Sequence, residues 1–164
     1  MTVDPPRLRV GQGFDVHPFS DDPQRALVLG GVAFPGARGL AGHSDADVIA
    51  HAVTDALLGA AGLGDIGQHF PDTDPALAGA DSIDLLCRAV ADVRAAGWAP
   101  QNVDCIVVLE GPKLAPHRDA MHERLSTAVG APVTVKGKRA EGLGALGRSE
   151  GVACFAVALV AGGS

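Results

Sequence analysis

Nine successive residues near the end of the chain, Val152 to Val160 (VACFAVALV), are apolar. As a strand, that run needs cover on both faces. The amphipathic segments elsewhere make one layer of helices, with no further helix of comparable length for a second. A sheet clad on one side only leaves its other face apolar, and packing of sheet against sheet between subunits is the economical cover. A central strand with helices on both sides is the competing reading.

The 164 residues are enough for one domain, 1–164, with a real core. Hydrophobic residues make up 47% and charged residues 20%, which excludes a disordered chain, and no apolar run is long enough to cross a bilayer. With 13 Lys and Arg against 19 Asp and Glu, the net charge of −6 has the wrong sign for a nucleic-acid binder. An anionic ligand would need local cations. Cys87, Cys105 and Cys154 lie far apart in apolar stretches and read as buried free thiols. Together with an opening MTVDPPRLRV that carries no apolar signal segment, they make the cytoplasm the expected location.

Leu8 to Val16 alternates loosely and Arg25 to Phe34 is β-like around Gly30 and Gly31, which suggests an early β-hairpin. Asp45 can cap a helix that runs through DVIAHAVTDALLGAAG to Gly62 or Gly64. The stretch GDIGQHFPDTDPALAGA is too polar and too broken by proline for regular structure, and is expected to be a mobile functional loop. Asp81 or Ser82 can cap the next helix, whose Ile83, Leu86, Val90 and Val93 recur at helical spacing before Gly97. Trp98 to Asn102 reads as a turn, Val103 to Leu109 as a strand, His117 to about Val129 as a helix and Pro132 to Lys138 as a strand. A glycine-rich loop to Glu150 precedes the final strand. This order predicts an α/β two-layer sandwich, with helices on one face of a mixed sheet.

Asp15-Val16-His17 ends the first strand, where alternate side chains share a face, so a carboxylate and an imidazole can converge. A structural Asp–His hydrogen bond is the plain alternative. Asp47, His51 and Asp55 form an i,i+4 stripe embedded in VIAHAV and TDALLGAA, where a solvated face would show Lys or Glu. Two histidines and one aspartate leave a coordination position open, which suits Zn²⁺ as a Lewis acid. Asp47 or Asp55 could accept the other ring N–H of His51. These ligands alone also permit a mononuclear zinc hydrolase or a non-catalytic metal-stabilised protein. His69 belongs to the loop, and His117 and His122 read as surface residues of the third helix.

The runs RVGQGFDVHPF, GHSDADVIAHAVTDALLGAAGLGDIGQHFPDTDP, GPKLAPH and KGKRAEGLGALGRSEGVAC, in that order and spacing, resemble the 2-C-methyl-D-erythritol 2,4-cyclodiphosphate synthase family of the non-mevalonate isoprenoid pathway. The resemblance spans nearly the whole chain. It implies a homotrimer of α/β subunits, with sheets facing each other and active sites between neighbours. It implies zinc on Asp15, His17 and His51, and a second divalent ion, Mg²⁺ or Mn²⁺, on Glu141. His43 and Ser44 would flank the erythritol phosphate, Asp65 and Gly67 would contact the methylerythritol portion, and Pro112, Lys113, Leu114 and Ala115 would cradle cytidine from the adjacent subunit. Arg148 matches an arginine at the mouth of a cavity on the trimer axis that can hold an isoprenoid diphosphate.

The implied reaction is intramolecular: the 2-phosphate of 4-diphosphocytidyl-2-C-methyl-D-erythritol 2-phosphate attacks the β-phosphorus and expels CMP. Two like charges ~4 Å apart repel by ~4 kcal/mol at an effective dielectric of 20, so this attack needs cations between the phosphates. An acidic protein must borrow them as metal ions. A phosphate nucleophile is already deprotonated near neutral pH, so catalysis reduces to positioning and charge neutralisation. The chain departs from the family at Lys138-Arg139-Ala140, where many members carry threonines that bind the diphosphate. Ala140 has no side-chain donor, and Arg139 could supply a charged one or only its backbone N–H.

Overall fold

The computed structural model describes residues 7–162; the MTVDPP opening and the last two residues lie outside them. The apolar run forms β6 (Gly151–Gly162), second in a four-stranded mixed sheet between β1 (Arg7–Pro18) and β4 (Trp98–Val108), with β5 (Val133–Lys138) on the far edge. β1 and β4 run antiparallel to β6, and β5 runs parallel to β4. On β6, Val152, Cys154, Ala156, Ala158 and Val160 point inward and are fully buried.

Three helices form the covering layer: α1 (Val48–Ala61), α3 (Ser82–Ala95) and α4 (Arg118–Val129). α1 lies on β1 and β6, α3 on α1 and β4, and α4 on α3 and β5. Because α3 packs on its back, α1 is buried at eleven of its fourteen residues, and Ile49, Leu57 and Leu58 are sealed completely. Each such side chain stabilises the fold by about 1.5–3 kcal/mol relative to exposure. The approach of α1 to β1 depends on glycine. A Cβ at Gly11 would overlap the Ala56 carbonyl, and one at Gly13 would overlap the Ala52 carbonyl. Small residues on both elements therefore bring the two backbones together.

The outer face of the sheet has no such cover. Leu8, Val10, Phe14 and Val16 of β1 and Phe155 and Val157 of β6 share it, each between 42% and 67% exposed. Toward β4 and β5 the same face turns polar, with Asp104, Thr134 and Lys136 in one hydrogen-bonded group. Helices thus lie on one face of a mixed sheet, as expected, and the arrangement with helices on both sides does not occur among the described residues.

Several local expectations are corrected. The early hairpin does not form, since all twelve residues of β1 pair with β6. The 25–34 segment instead makes its own small hairpin, β2 (Val28–Leu29) with β3 (Val32–Ala33). Positive φ at both Gly30 and Gly31 supplies its two-residue turn. Trp98 to Asn102 is the first part of β4, continued past Pro100 by a bulge. The polar loop contains α2 (Ile66–His69) and a 3₁₀ turn at Pro75–Leu77, and the later glycine-rich segment holds α5 (Gly144–Gly147). α1 is capped by Asp47, two residues later than Asp45. Cys105 and Cys154 are buried free thiols, but Cys87 is exposed on the polar side of α3. No helix of the described residues is long and apolar enough to cross a membrane.

Candidate functional site

Alternation along β1 turns Asp15 and His17 toward the helix layer, on the same side as Gly11 and Gly13. His51 immediately precedes Ala52, whose carbonyl rests on Gly13, so the same close approach that packs α1 carries His51 over the end of β1. Asp15 Oδ2 lies 2.9 Å from His17 Nε2 and 3.0 Å from His51 Nδ1, and the two nitrogens are 3.3 Å apart. All three atoms fall within 4.8 Å of one another. A tetrahedral site with bonds of about 2.0–2.1 Å sets its ligand atoms ~3.3 Å apart. The set therefore fits a zinc-sized cation in its residue types, its count of three and its spacing.

The electrostatics agree. Burial pushes the Asp15 carboxyl up, but hydrogen bonds and charge from His17 and His51 outweigh it and hold the group at about 2. Burial pulls the His17 ring down, and the Asp15 carboxylate and the Ala41 carbonyl more than reverse that, so its pKa is raised. His17 Nδ1 donates to the Ala41 carbonyl at 2.9 Å, which turns Nε2 toward Asp15.

Asp47 and Asp55, the expected acceptors behind His51, are engaged elsewhere. The Asp47 carboxylate is fully buried and accepts from the backbone N–H groups of Gly30, Gly31, Ile49 and Ala50, binding the β2–β3 turn to the start of α1. Burial raises its pKa against the pull of those amides. Asp55 accepts from Ile66 N at the start of α2. The group behind His51 is a pair of hydroxyls: Nε2 stands 2.8 Å from Ser82 Oγ and 3.1 Å from Ser44 Oγ.

These residues open into a cavity of about 460 Å³. His43 and Ser44 line it, with the His43 ring held by the Asp74 carbonyl at 2.7 Å. Ile66, Gly67 and Phe70 form the facing wall. Asp65 caps α2 by accepting from Gln68 N at 2.9 Å and is exposed beside the opening. That wall is pinned by Arg88 over the Phe70 ring at 4.9 Å and by His69, which bonds the Leu63 carbonyl and pairs with Asp92. His69 thus serves the wall and takes no part in the triad.

A second cavity of about 600 Å³ lies where β4 and β5 end, and Pro112, Lys113, Leu114, Ala115, Lys138 and Arg139 line it. Glu110, Arg118 and Lys136 line it too. Glu110 joins its two loops, accepting from Ala140 N at 2.8 Å with Arg139 Nε at 4.0 Å. Glu141, two residues after Arg139, does not line the cavity; it is exposed with φ of 54° and forms no ion pair with Lys138 or Arg139 among the described residues. Arg148 is exposed and pairs with Glu150 at 2.6 Å. His117 and His122 do more than face solvent: His117 packs on Phe34, and His122 Nε2 accepts the Val135 N–H at 2.8 Å, tying α4 to β5.

Sequence reasoning overlooked Ser82, Asp45, Glu110, Arg118 and Lys136. Ser82 resembled a helix cap, and its neighbour Asp81 takes that role. The spacing of Glu110 and Arg118 around the GPKL run was the one signal available for the second cleft.

The sequence pattern of the YgbB family matches residues 8–161. The 2-C-methyl-D-erythritol 2,4-cyclodiphosphate synthase of Bordetella petrii is 59% identical over 157 residues, 94% of this chain and 96% of that protein. The protein of that name from Symbiobacterium thermophilum is 54% identical over 94% of this chain and 99% of its own length. Among solved structures, the CDP complex of IspF from Plasmodium falciparum superposes with a TM-score of 0.82 at 32% identity, covering 96% of this chain and 97% of that one. The bifunctional IspDF of Campylobacter jejuni gives 0.91 at 39% identity over 98% of this chain, which spans 44% of that longer protein. Agreement in sequence over almost the whole length and in fold throughout leads to one conclusion: the chain belongs to the YgbB family, that of the 2-C-methyl-D-erythritol 2,4-cyclodiphosphate synthases.

Proposed function

We propose that this chain, a single domain, converts 4-diphosphocytidyl-2-C-methyl-D-erythritol 2-phosphate into 2-C-methyl-D-erythritol 2,4-cyclodiphosphate and CMP, in the cytoplasm. The observation that carries the proposal is the convergence of Asp15 Oδ2, His17 Nε2 and His51 Nδ1 at the mouth of a cleft, in a chain of this family. Those three side chains hold zinc. Glu141 would contribute one carboxylate to a second divalent site, Mg²⁺ or Mn²⁺, which an exposed single carboxylate could hold only together with ligands from a bound substrate. Held by these residues, the cations would supply positive charge against the mutual repulsion of the two phosphate groups.

The protein side chains supply binding and orientation. His43 and Ser44 flank the erythritol phosphate, and Asp65 and Gly67 contact the methylerythritol portion. Pro112, Lys113, Leu114 and Ala115 receive the cytidine, while Lys138 and Arg139 meet the diphosphate; Ala140, whose backbone N–H is given to Glu110 and whose carbonyl accepts from Leu143, offers it no donor. Arg139 replaces a hydroxyl donor with a charged one, which forms stronger hydrogen bonds to phosphate. No side chain is needed as a base.

The two clefts are completed by assembly. Six half-exposed apolar side chains on the outer sheet face each gain about 1 kcal/mol on burial, so a homotrimer with sheets facing inward recovers roughly 5 kcal/mol or more per subunit. The metal cleft of one subunit then works with the cytidine cleft of its neighbour. Arg148 borders the axial cavity, where an isoprenoid diphosphate fits. Phosphorus NMR of the purified protein with the substrate, zinc and Mg²⁺ tests the reading. Appearance of the cyclic diphosphate with one CMP per turnover is expected, whereas release of inorganic phosphate or an open-chain product would make the chain a zinc hydrolase.

A further inference from the structure

We propose that Ser82, backed by Asp45, is a positioning residue that holds the ring proton of His51 on Nε2 and so presents an unprotonated Nδ1 to Asp15 and His17. The inference rests on the metal reading above and extends it to a residue that touches neither metal nor substrate.

A serine hydroxyl has one proton and two lone pairs, and a carboxylate oxygen only accepts. Ser82 Oγ makes a short contact with Asp45 Oδ1, so its proton is committed there. Asp45 cannot turn away: its Oδ1 also accepts from Asp47 N at 3.1 Å and its Oδ2 from Ser82 N at 3.1 Å. Of the two lone pairs left on Ser82 Oγ, one faces the Ser44 hydroxyl at 3.4 Å and the other faces His51 Nε2 at 2.8 Å, a contact that an N–H satisfies. A neutral imidazole with its proton on Nε2 has Nδ1 bare, so Nδ1 and Asp15 Oδ2, 3.0 Å apart, become two acceptors that a cation between them would satisfy, whereas without the cation the form with Nδ1–H donating to Asp15 competes.

The neighbouring Ser44 does not make this choice. Its Oγ stands 3.1 Å from the same nitrogen and accepts from Ala46 N at 3.2 Å, which leaves its own proton free to go either way. With Ser44 alone, both forms of the ring would be satisfied. With Ser82 present, the other form sets two lone pairs 2.8 Å apart around a fully buried hydroxyl. His17 is set by the same logic from the opposite side, its Nδ1–H given to the Ala41 carbonyl. Each ring is thus locked from behind by an acceptor on a different element.

The arrangement also explains why Asp45 stands where it does. Ser82 is the first residue of α3, and its backbone N–H is one of the donors a helix leaves without a partner. Asp45 takes that donor and the Ser82 hydroxyl together. The loop before α1, the start of α3 and the ligand on α1 are thereby joined in one relay that fixes the orientation of the ring.

The test follows zinc loss from the loaded protein to a chelating competitor, with imidazole nitrogen NMR on the same samples, for wild type, Ser82→Ala and Ser82→Thr. Wild type should show His51 protonated at Nε2, and Ser82→Ala should hold zinc about 10–100-fold more weakly with that proton exchanging faster. Ser82→Thr keeps the hydroxyl and should restore both signals, which a purely structural role for Ser82 would not require. Wild-type zinc affinity in Ser82→Ala, or a wild-type ring bound through Nε2, overturns the proposal. A wild-type chain that takes up no zinc overturns the metal reading itself, a different result from zinc binding that ignores Ser82. Should Ser82→Ala fail to fold, Asp45→Ala serves, because it removes the acceptor of the Ser82 hydroxyl proton and frees that proton to turn toward His51. The same weakening is expected there, and unchanged affinity again contradicts the relay.

Discussion

The cleft around Asp15, His17 and His51 and the cleft around Pro112 to Ala115 are built by opposite means. In the first, both histidines are fixed from behind, His17 by a backbone carbonyl and His51 by hydroxyls, on two elements that glycine allows into contact. In the second, Lys113, Arg118, Lys136, Lys138 and Arg139 line the cavity with one carboxylate, Glu110, on loops and strand ends, and only Arg139 reaches ion-pair distance of it while Lys136 pairs with Asp104. The two share no lining residue. One has the donor atoms for a cation and little positive charge for phosphate; the other has the charge and no cluster of metal ligands. Under the proposed function, the difference would let an acidic chain serve a highly anionic substrate by dividing the work between a ligand set locked by hydrogen bonds and a cluster of cationic side chains.

The largest effect expected from breaking this division is at the locked ligand set. His51→Ala removes one of three ligands, so bound zinc should vanish in metal analysis. Activity should fall roughly 10³-fold or more, since the lost charge stabilisation amounts to several kcal/mol. Full zinc occupancy in that variant would contradict the ligand assignment. On the other side, Glu141→Gln should keep zinc and the fold but lose about 10²-fold in turnover together with its dependence on Mg²⁺ or Mn²⁺. A metal titration that matches wild type would return Glu141 to the solvated surface.

Smaller changes sharpen the contrast through packing. Gly13→Ala forces α1 off β1 and should cost about 1–3 kcal/mol in chemical denaturation, with weaker zinc binding because His51 moves with the helix. Gly59→Ala lies on the same helix with open space at the added Cβ and should stabilise by about 0.5–1 kcal/mol without touching zinc. Equal effects of the two substitutions would show that the close approach of α1 to β1 does not position the ligand.

The triad was legible in the sequence because its members obey local periodicities: Asp15 and His17 alternate on a strand, and His51 sits in an apolar helix where a histidine is out of place. The one-sided sheet followed from the apolar run of β6. What stayed hidden depends on distance along the chain. Ser82 lies 31 residues from His51, and no local pattern links a serine at one helix start to a histidine on another helix. β1 looked like half of a hairpin because a turn is visible nearby, whereas its true partner, from Arg7 opposite Gly162 onward, is chosen by burial of the whole sheet. Asp47 stood on the expected stripe, but four backbone amides of the β2–β3 turn and α1 outbid a single imidazole for its carboxylate.

The central claim is that a working site needs one cleft from each of two neighbouring chains, and subunit mixing tests it directly. Lys113→Ala chains and His51→Ala chains, each inactive alone, are combined under conditions in which mass spectrometry shows exchange of subunits. The account expects partial activity in the mixture, because some neighbours then join an intact cytidine cleft to an intact metal cleft. No recovery in a mixture that has exchanged would show that both clefts of one site belong to a single chain.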